Sequence, residues 1–258
     1  MLNDLAAMLN QARETASPIA QISLEIKDFL RPDAYQIQEL QFKMRETKGE
    51  TQVGWKMGLT SEAKRKQMNL DSPLYGFLTN KMQVICDGVF NMTGSIHPKI
   101  EPEVAFLISK DLTASPTRDE VLNSCSAVCA ALEILDSRYQ QFKYFSMEDV
   151  ISDNSSSSHF VLGPWLKDFK NLDITNLKMQ MFADGALAEA GNSKDISGDP
   201  VLSVIQLCKL LAERKQTLKA GSIVLAGAAT AAVALKEGLN VKLSVDGLEE
   251  VSVSITKN

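Results

Sequence analysis

The feature that most constrains this chain is His97-Pro98-Lys99-Ile100-Glu101-Pro102-Glu103, which passes straight into Val104-Ala105-Phe106-Leu107-Ile108. The apolar run reads as a buried strand, and the acidic segment as its start. Residues two apart on a strand leave the same face, so Glu101 and Glu103 point together, roughly 6.5–7 Å apart. Two carboxylates so placed repel unless they are solvated, protonated or bridged by a cation. A solvated strand end meets that condition. So does a hard divalent cation such as Mg²⁺, which takes oxygen ligands and keeps open positions for water or substrate. Pro102 has no amide proton, which suits an edge, a strand start or a bulge rather than a central strand.

Composition narrows the function classes. The 258 residues, 45% hydrophobic and 23% charged, suffice for one large domain or a small domain plus a larger one. A net charge of −5 and the absence of a basic stripe give no reason to expect nucleic acid or an anionic membrane surface. The N-terminus shows no basic segment followed by an apolar one, so no signal peptide is expected. The longest nearly apolar run, Ile223 to Leu235, is too short to span a bilayer. Cys86, Cys125, Cys129 and Cys208 make no CxxC pair, and Cys125 and Cys129 read as buried thiols on one helix face. With only His97 and His159, a histidine-rich zinc site is out of reach. These features predict a reduced, cytoplasmic, soluble protein.

Residues 2–14 and a segment from Pro32-Asp33 to Gly49 carry helical periodicity, so the N-terminal part reads as a helical cap. From Val53 the pattern turns to strand. There Lys56 lies between Trp55 and Met57, either as a snorkelling surface residue or as a lysine aimed into a site. Thr60 or Ser61 could cap a short helix through Met68. Leu74 to Leu78 is an aromatic–aliphatic strand or loop. Thr117-x-x-Glu120 is a capping box, predicting a helix to about Ala130. Glu133 follows inside an apolar run, where an unpaired carboxylate is costly. It needs a cation, an arginine such as Arg138, or a proton. Asp153-Asn154 and four serines read as a flexible linker, or as a tight loop offering donors to an anion. Asp184-Gly185 marks a hairpin, Asp199-Pro200 opens an amphipathic helix, and Ile223 to Thr230 is a strand running into a small-residue loop. Alternation at Val241 to Val245 and Val251 to Ile255 around Asp246-Gly247 gives a terminal hairpin.

Seven of these segments, in order, carry a resemblance: GWKMGLTS from Gly54, YGFL from Tyr75, HPKIEPE from His97, ALEILDSRY from Ala131, DNSSS from Asp153, GDP from Gly198 and AGAATAAV from Ala226. Together they make the chain resemble the hydratase/decarboxylase branch of the fumarylacetoacetate hydrolase superfamily, which acts late in meta-cleavage catabolism of aromatics. The resemblance implies an α+β fold, with a helical cap or packing subdomain (1–50) on a catalytic domain (51–258) built as a mixed-β barrel or roll. It also implies Mg²⁺ or Mn²⁺ held by Glu101, Glu103 and Glu133, with the site lysine at Lys56.

The branch runs two reactions. One removes CO₂ from 2-oxo-3-hexenedioate (4-oxalocrotonate) to give 2-hydroxypenta-2,4-dienoate; the other hydrates that dienoate. The hydratases place an acidic residue between the proline and the aromatic residue after the GLT helix, and here that position is Leu74. Water addition needs a base near the water, whereas a departing carboxylate gains from an apolar wall. Decarboxylation is therefore the expected reaction. The metal would act as Lewis acid and Lys56 would stabilise charge or move a proton. Leu74, Ser156 and Thr230 would contact the substrate, a small dicarboxylate 2-oxo acid. A complex with a 2-hydroxypentadienoate hydratase and a homo-oligomer are the implied assemblies.

Three other readings stay open: a hydratase of the same family, a weakly active scaffold for a partner hydratase, and a hydrolase cleaving an acylpyruvate. The last needs a base to activate water, and neither histidine lies in a motif for that role. Two positions depart from the pattern. Asp199 stands where a histidine is expected in GHP, and the segment before Thr230 is richer in alanine.

Overall fold

The computed structural model describes residues 1–258 except 62–64, 67–69, 71 and 143–145. The expected helix from Thr60 or Ser61 to Met68 falls largely outside the described residues. The fold is α+β. One sheet runs in the order β2 (Leu74–Thr79), β1 (Gln52–Gly58), β10 (Ile223–Leu225), β5 (Lys99–Ile108), β6 (Cys125–Leu135), β7 (Ser157–Leu162), β3 (Gln83–Val84), with β11 (Val233–Ala234) also on β5. The other runs β4 (Gly88–Asn91), β13 (Val251–Thr256), β12 (Asn240–Val245), β8 (Lys178–Ala183), β9 (Ala186–Asn192). Both sheets are mixed: β1/β10, β3/β7 and β4/β13 are parallel and the other pairs antiparallel. Strands β12 and β13 pack against β6. Among the described residues no helix is long and apolar enough to cross a membrane.

The N-terminal helices Leu2–Thr15 and Arg31–Glu46 pack on each other, and the second also packs on the short helix Met147–Ser152. Ala6, Leu9 and Ile37 share one apolar core with Met57, Leu74 and Phe106. The expected hairpin at Asp184-Gly185 forms, with φ of +49° and +79° as a tight turn between twisted strands requires.

Strands β5 and β6 are the axis of the larger sheet and are buried on both faces along most of their length. The sequence predicts a helix to about Ala130. Instead the capped helix Arg118–Asn123 stops after 6 residues and β6 begins at Cys125. The Ala-rich segment Cys125–Leu135, which also holds Leu and Glu, leans toward helix locally. Its continuous pairing with β5, from Ile108↔Cys125 to Lys99↔Leu135, outweighs the local signal. Cys125 and Cys129 are buried as expected, but on this strand and not on a helix.

Pro102 also departs from expectation, because it sits inside the central strand. Its carbonyl accepts from Ala229 N at 3.1 Å, so its backbone polar groups face the gap where β10 has ended and β11 has not begun. On an antiparallel strand the N–H and C=O of one residue point the same way. The missing proton therefore costs no ladder bond to β6.

The serine segment is not a linker. Asn154, Ser155 and Ser156 are buried, and all three have left-handed backbone, with φ of +47°, +58° and +56°. Asp153 takes the buried Arg138 guanidinium, which also donates to the carbonyls of Asp136 and Ser157. The Asn154 side chain bonds Phe77 both ways, accepting from its N at 2.8 Å and donating to its O at 3.1 Å. Gln38 and Gln41, from Arg31–Glu46, hold the carbonyls of Ile151 and Ser152. Strained backbone of this kind persists only where its surroundings over-determine it.

Candidate active site

The pleat puts Lys99, Glu101 and Glu103 on one face of β5, and the β5–β6 register sets Glu133 directly across from Glu101. Directly opposed residues have Cβ atoms only about 4.5–5.5 Å apart, closer than the along-strand pair. One carboxylate oxygen from each of Glu101, Glu103 and Glu133 lies within 4.8 Å of the others. Glu103 and Glu133 are fully buried and Glu101 is half-buried.

Each buried carboxylate has only part of what it needs. Glu103 Oε2 accepts from Gly227 N at 2.7 Å, while its Oε1 is buried with no hydrogen-bond partner. Glu133 Oε1 accepts from Ser157 Oγ at 2.9 Å, and its Oε2 lies 2.9 Å from Lys56 Nζ. Burial, then repulsion from Glu133 and Glu101, holds the Glu103 carboxyl well above its usual range, against the pull of Lys56 and Gly227 N–H. For Lys56, burial works against the charged form, but Glu133, Glu101 and Glu103 outweigh it and keep the ammonium protonated. Three carboxylates and one ammonium leave two negative charges when all are ionised. A divalent cation balances them, and an all-oxygen set with a buried, partnerless Oε1 suits a hard ion such as Mg²⁺.

Of this group Lys56 and Glu101 line a cavity of about 410 Å³, together with Leu74, Lys99, Ser155 and Thr230, among others. Gly58 leaves the space in which three of them converge. A Cβ there would lie 2.8 Å from Leu74 Cδ1, 3.1 Å from Ser155 Oγ and 3.7 Å from Lys56 Nζ. The alanine-rich segment is the opposite wall. Ala226 N and Ala229 N bond the carbonyls of Val104 and Pro102, so the loop follows β5 closely past the glutamates. Gly227, at φ +112°, presents its N–H to Glu103, and a side chain there would run into Thr60.

The structure brings Lys56, Leu74, Glu101, Glu103, Glu133 and Thr230 together. The Thr230 hydroxyl donates to Ala231 O. Ser156 goes elsewhere: its hydroxyl donates to Asp153, and it does not line the cavity. Its neighbour Ser155 does, with a buried Oγ that has no hydrogen-bond partner. The DNSSS motif marked the loop, but only the three left-handed residues decide which hydroxyl faces inward. Lys99 was equally legible, two residues before Glu101 on the same face. Arg138 pairs with Asp153 and not with Glu133. Asp199 accepts from Val201 N and from Arg118 Nε, as the cap of the helix Pro200–Glu213, and does not line the cavity.

Comparison with known proteins places the chain in a family. The family model for the fumarylacetoacetate (FAA) hydrolase C-terminal region matches residues 52–256. A 4-oxalocrotonate decarboxylase of a Pseudomonas species is 40% identical over 255 residues, covering 99% of this chain and 98% of the relative. A 2-keto-4-pentenoate hydratase of Burkholderia vietnamiensis is 32% identical over 256 residues, covering 98% and 97%. Among solved structures, 4-oxalocrotonate decarboxylase from Pseudomonas putida G7, complexed with magnesium and adipate, superposes with a TM-score of 0.94 at 33% identity, covering 98% of this chain and 97% of that one.

Proposed function

The chain belongs to the fumarylacetoacetate hydrolase family, and from that premise we propose that it is a Mg²⁺-dependent carboxy-lyase converting 2-oxo-3-hexenedioate (4-oxalocrotonate) to 2-hydroxypenta-2,4-dienoate and CO₂. The observation that carries this reading is a three-carboxylate cluster that meets, through Glu101, a cavity walled by Leu74, Leu135 and Val150. Among the described lining residues, the only acid is the triad's own Glu101, so none is left over to activate water for hydration. Glu101, Glu103 and Glu133 would hold the ion, which would supply Lewis-acid stabilisation to the 2-oxo group as negative charge develops there. Lys56 is fixed beside Glu133 as a protonated, buried cation and stabilises that charge without reorganising. Ser155 and Thr230 supply hydroxyls to the substrate's oxygens. Leu74 gives the departing carboxylate poor solvation, which favours neutral CO₂.

Residues 1–50 act in this reading as the packing part of the molecule, since Gln38 and Gln41 brace the loop that carries Ser155. The dienoate product is a hydratase's substrate, so a complex with such an enzyme, a homo-oligomer and a cytoplasmic setting belong to the same proposal. The four free cysteines accord with a reducing compartment.

The test is incubation with 2-oxo-3-hexenedioate and Mg²⁺, with and without EDTA, following CO₂ and products by NMR. Metal-dependent CO₂ release with accumulating dienoate is expected. Hydration of supplied dienoate without CO₂ release would instead make the protein a hydratase.

A further inference from the structure

The loop that serves the catalytic cavity also borders a second one. Ser155 faces the first cavity and Ser157 holds Glu133, whereas Ser158 and His159 line a separate cavity of about 340 Å³. Arg13 and Arg45 enter it from the two N-terminal helices, Lys81 from the segment before β3, and Arg138 from the end of β6.

The acids in its walls are already engaged, Glu14 and Glu50 in part with Arg13 and Arg45 themselves. Asp136 accepts the backbone N–H groups of Ile96 and His97. Glu50 takes Arg45 and the Thr79 hydroxyl, and Glu14 takes Lys48 and Asn10. Several donors are left over. Arg13 reaches Asn10 and Glu14 through one terminal nitrogen only, at 3.2 and 3.4 Å, and its Nε is buried without a partner. Arg45 binds Glu50 through Nε and one terminal nitrogen. Lys81 has no hydrogen-bonding or ionic partner among the described residues. His159 Nδ1 is 2.8 Å from Ser158 Oγ; when it accepts that hydroxyl proton, Nε2 carries the ring proton.

Four cations, Arg13, Arg45, Lys81 and Arg138, share the lining with three acids, Glu14, Glu50 and Asp136. Burial, then the Arg45 and Arg13 charges, push His159 down to about 4. Burial and the neighbouring Arg45 likewise bring Arg13 down to about 10. Cations pressed together in a cavity large enough for several waters are the setting in which an oxyanion gains charge-assisted hydrogen bonds and removes repulsion at once.

We propose that this cavity binds a small free oxyanion (a phosphate, sulfate or carboxylate group) through Arg13, Arg45 and Lys81, with His159 Nε2 as a further donor. The ligand would touch the loop that positions Ser155 and Ser157, the latter hydrogen-bonded to Glu133. The chain has only two histidines, His97 and His159, so ¹³C-histidine labelling of the Mg²⁺-loaded full-length protein gives one reporter and one internal control. Sulfate is titrated against chloride at constant ionic strength. The expected result is a saturable shift of the His159 signal with His97 unmoved, and a His159 pKa higher by about 1 or more in bound protein. Arg13→Gln should weaken binding about tenfold or more, as loss of a charge-assisted hydrogen bond does. Lys81→Met, an exposed change that puts folding at no risk, should weaken it several-fold. A shift that stays linear in sulfate and is the same in Lys81→Met means a diffuse salt effect and overturns the proposal. So does an unresponsive His159 in an oligomer whose neighbouring copy fills the cavity.

Discussion

Replacing Glu103 by Gln should raise the stability of the metal-free protein while nearly abolishing its response to Mg²⁺. The substitution keeps the carbonyl oxygen that accepts from Gly227 N, removes the charge and turns Oε1 into an NH₂ donor that can face the neighbouring carboxylates. Carboxylate oxygens within 4.8 Å repel by about 3.5 kcal/mol per pair at an effective dielectric near 20. Glu103 faces two such partners, and Lys56 offsets about one of them. Glu103 is held well above its usual range, so proton uptake already relieves part of this repulsion in the wild type, and a net gain of about 1–3 kcal/mol in EDTA is expected, or about 3–10 °C in melting temperature for a chain of this size. Wild type at a Mg²⁺ concentration about 100 times its Kd should gain about 2.7 kcal/mol. With one of three carboxylates gone, Glu103→Gln should bind the ion more than about a hundredfold less tightly and show almost none of that gain. Thermal melts followed by circular dichroism, in EDTA and across a Mg²⁺ series, read both effects. If the variant melts lower than wild type in EDTA and keeps the full Mg²⁺ increment, the mutual repulsion of these glutamates is not what the ion relieves.

Other positions give independent checks. Lys56→Met leaves Glu133 buried without its cation, so the EDTA-treated protein should lose about 3–5 kcal/mol in a denaturant titration. In Mg²⁺ its kcat should fall by about 10²–10³. Ser155→Ala removes a buried hydroxyl that has no partner; melts should be unchanged or slightly higher, while kcat/KM falls about tenfold or more. Leu74→Asp should slow CO₂ release, measured with a coupled CO₂ assay, because the departing carboxylate then meets a charged wall. Gly76→Ala puts a Cβ 2.6 Å from the Asn154 carbonyl, which should cost about 2 kcal/mol or more by chemical denaturation and lower activity through the displaced Ser155.

Much was legible without coordinates, and for definite reasons. The period of a strand alone sends Glu101 and Glu103 to one face, so a repelling pair in need of a cation follows from two letters and the pleat. Glu133 announced itself as a carboxylate inside an apolar run, but not its partner. Lys56 and Arg138 were both available as cations, and choosing between them needed the sheet order. Curling brings β1 near β6, whereas Arg138 at the end of β6 turns to Asp153. The extent of β6 was misread because an alanine-rich segment leans toward helix locally, while the strand partner that overrides it lies well earlier in the chain, in β5. By sequence the serine loop stays between linker and tight loop for a similar reason. Serine composition describes what is usual at a surface, while burial of this loop rests on Arg138, Gln38, Gln41 and the bare backbone of Gly76, which come from three separate parts of the sequence. The sequence thus determined which groups had to be neutralised. Only the tertiary structure decided what neutralises them and which serine looks into the cavity, because register and loop handedness are set by contacts between distant segments rather than by neighbours along the chain.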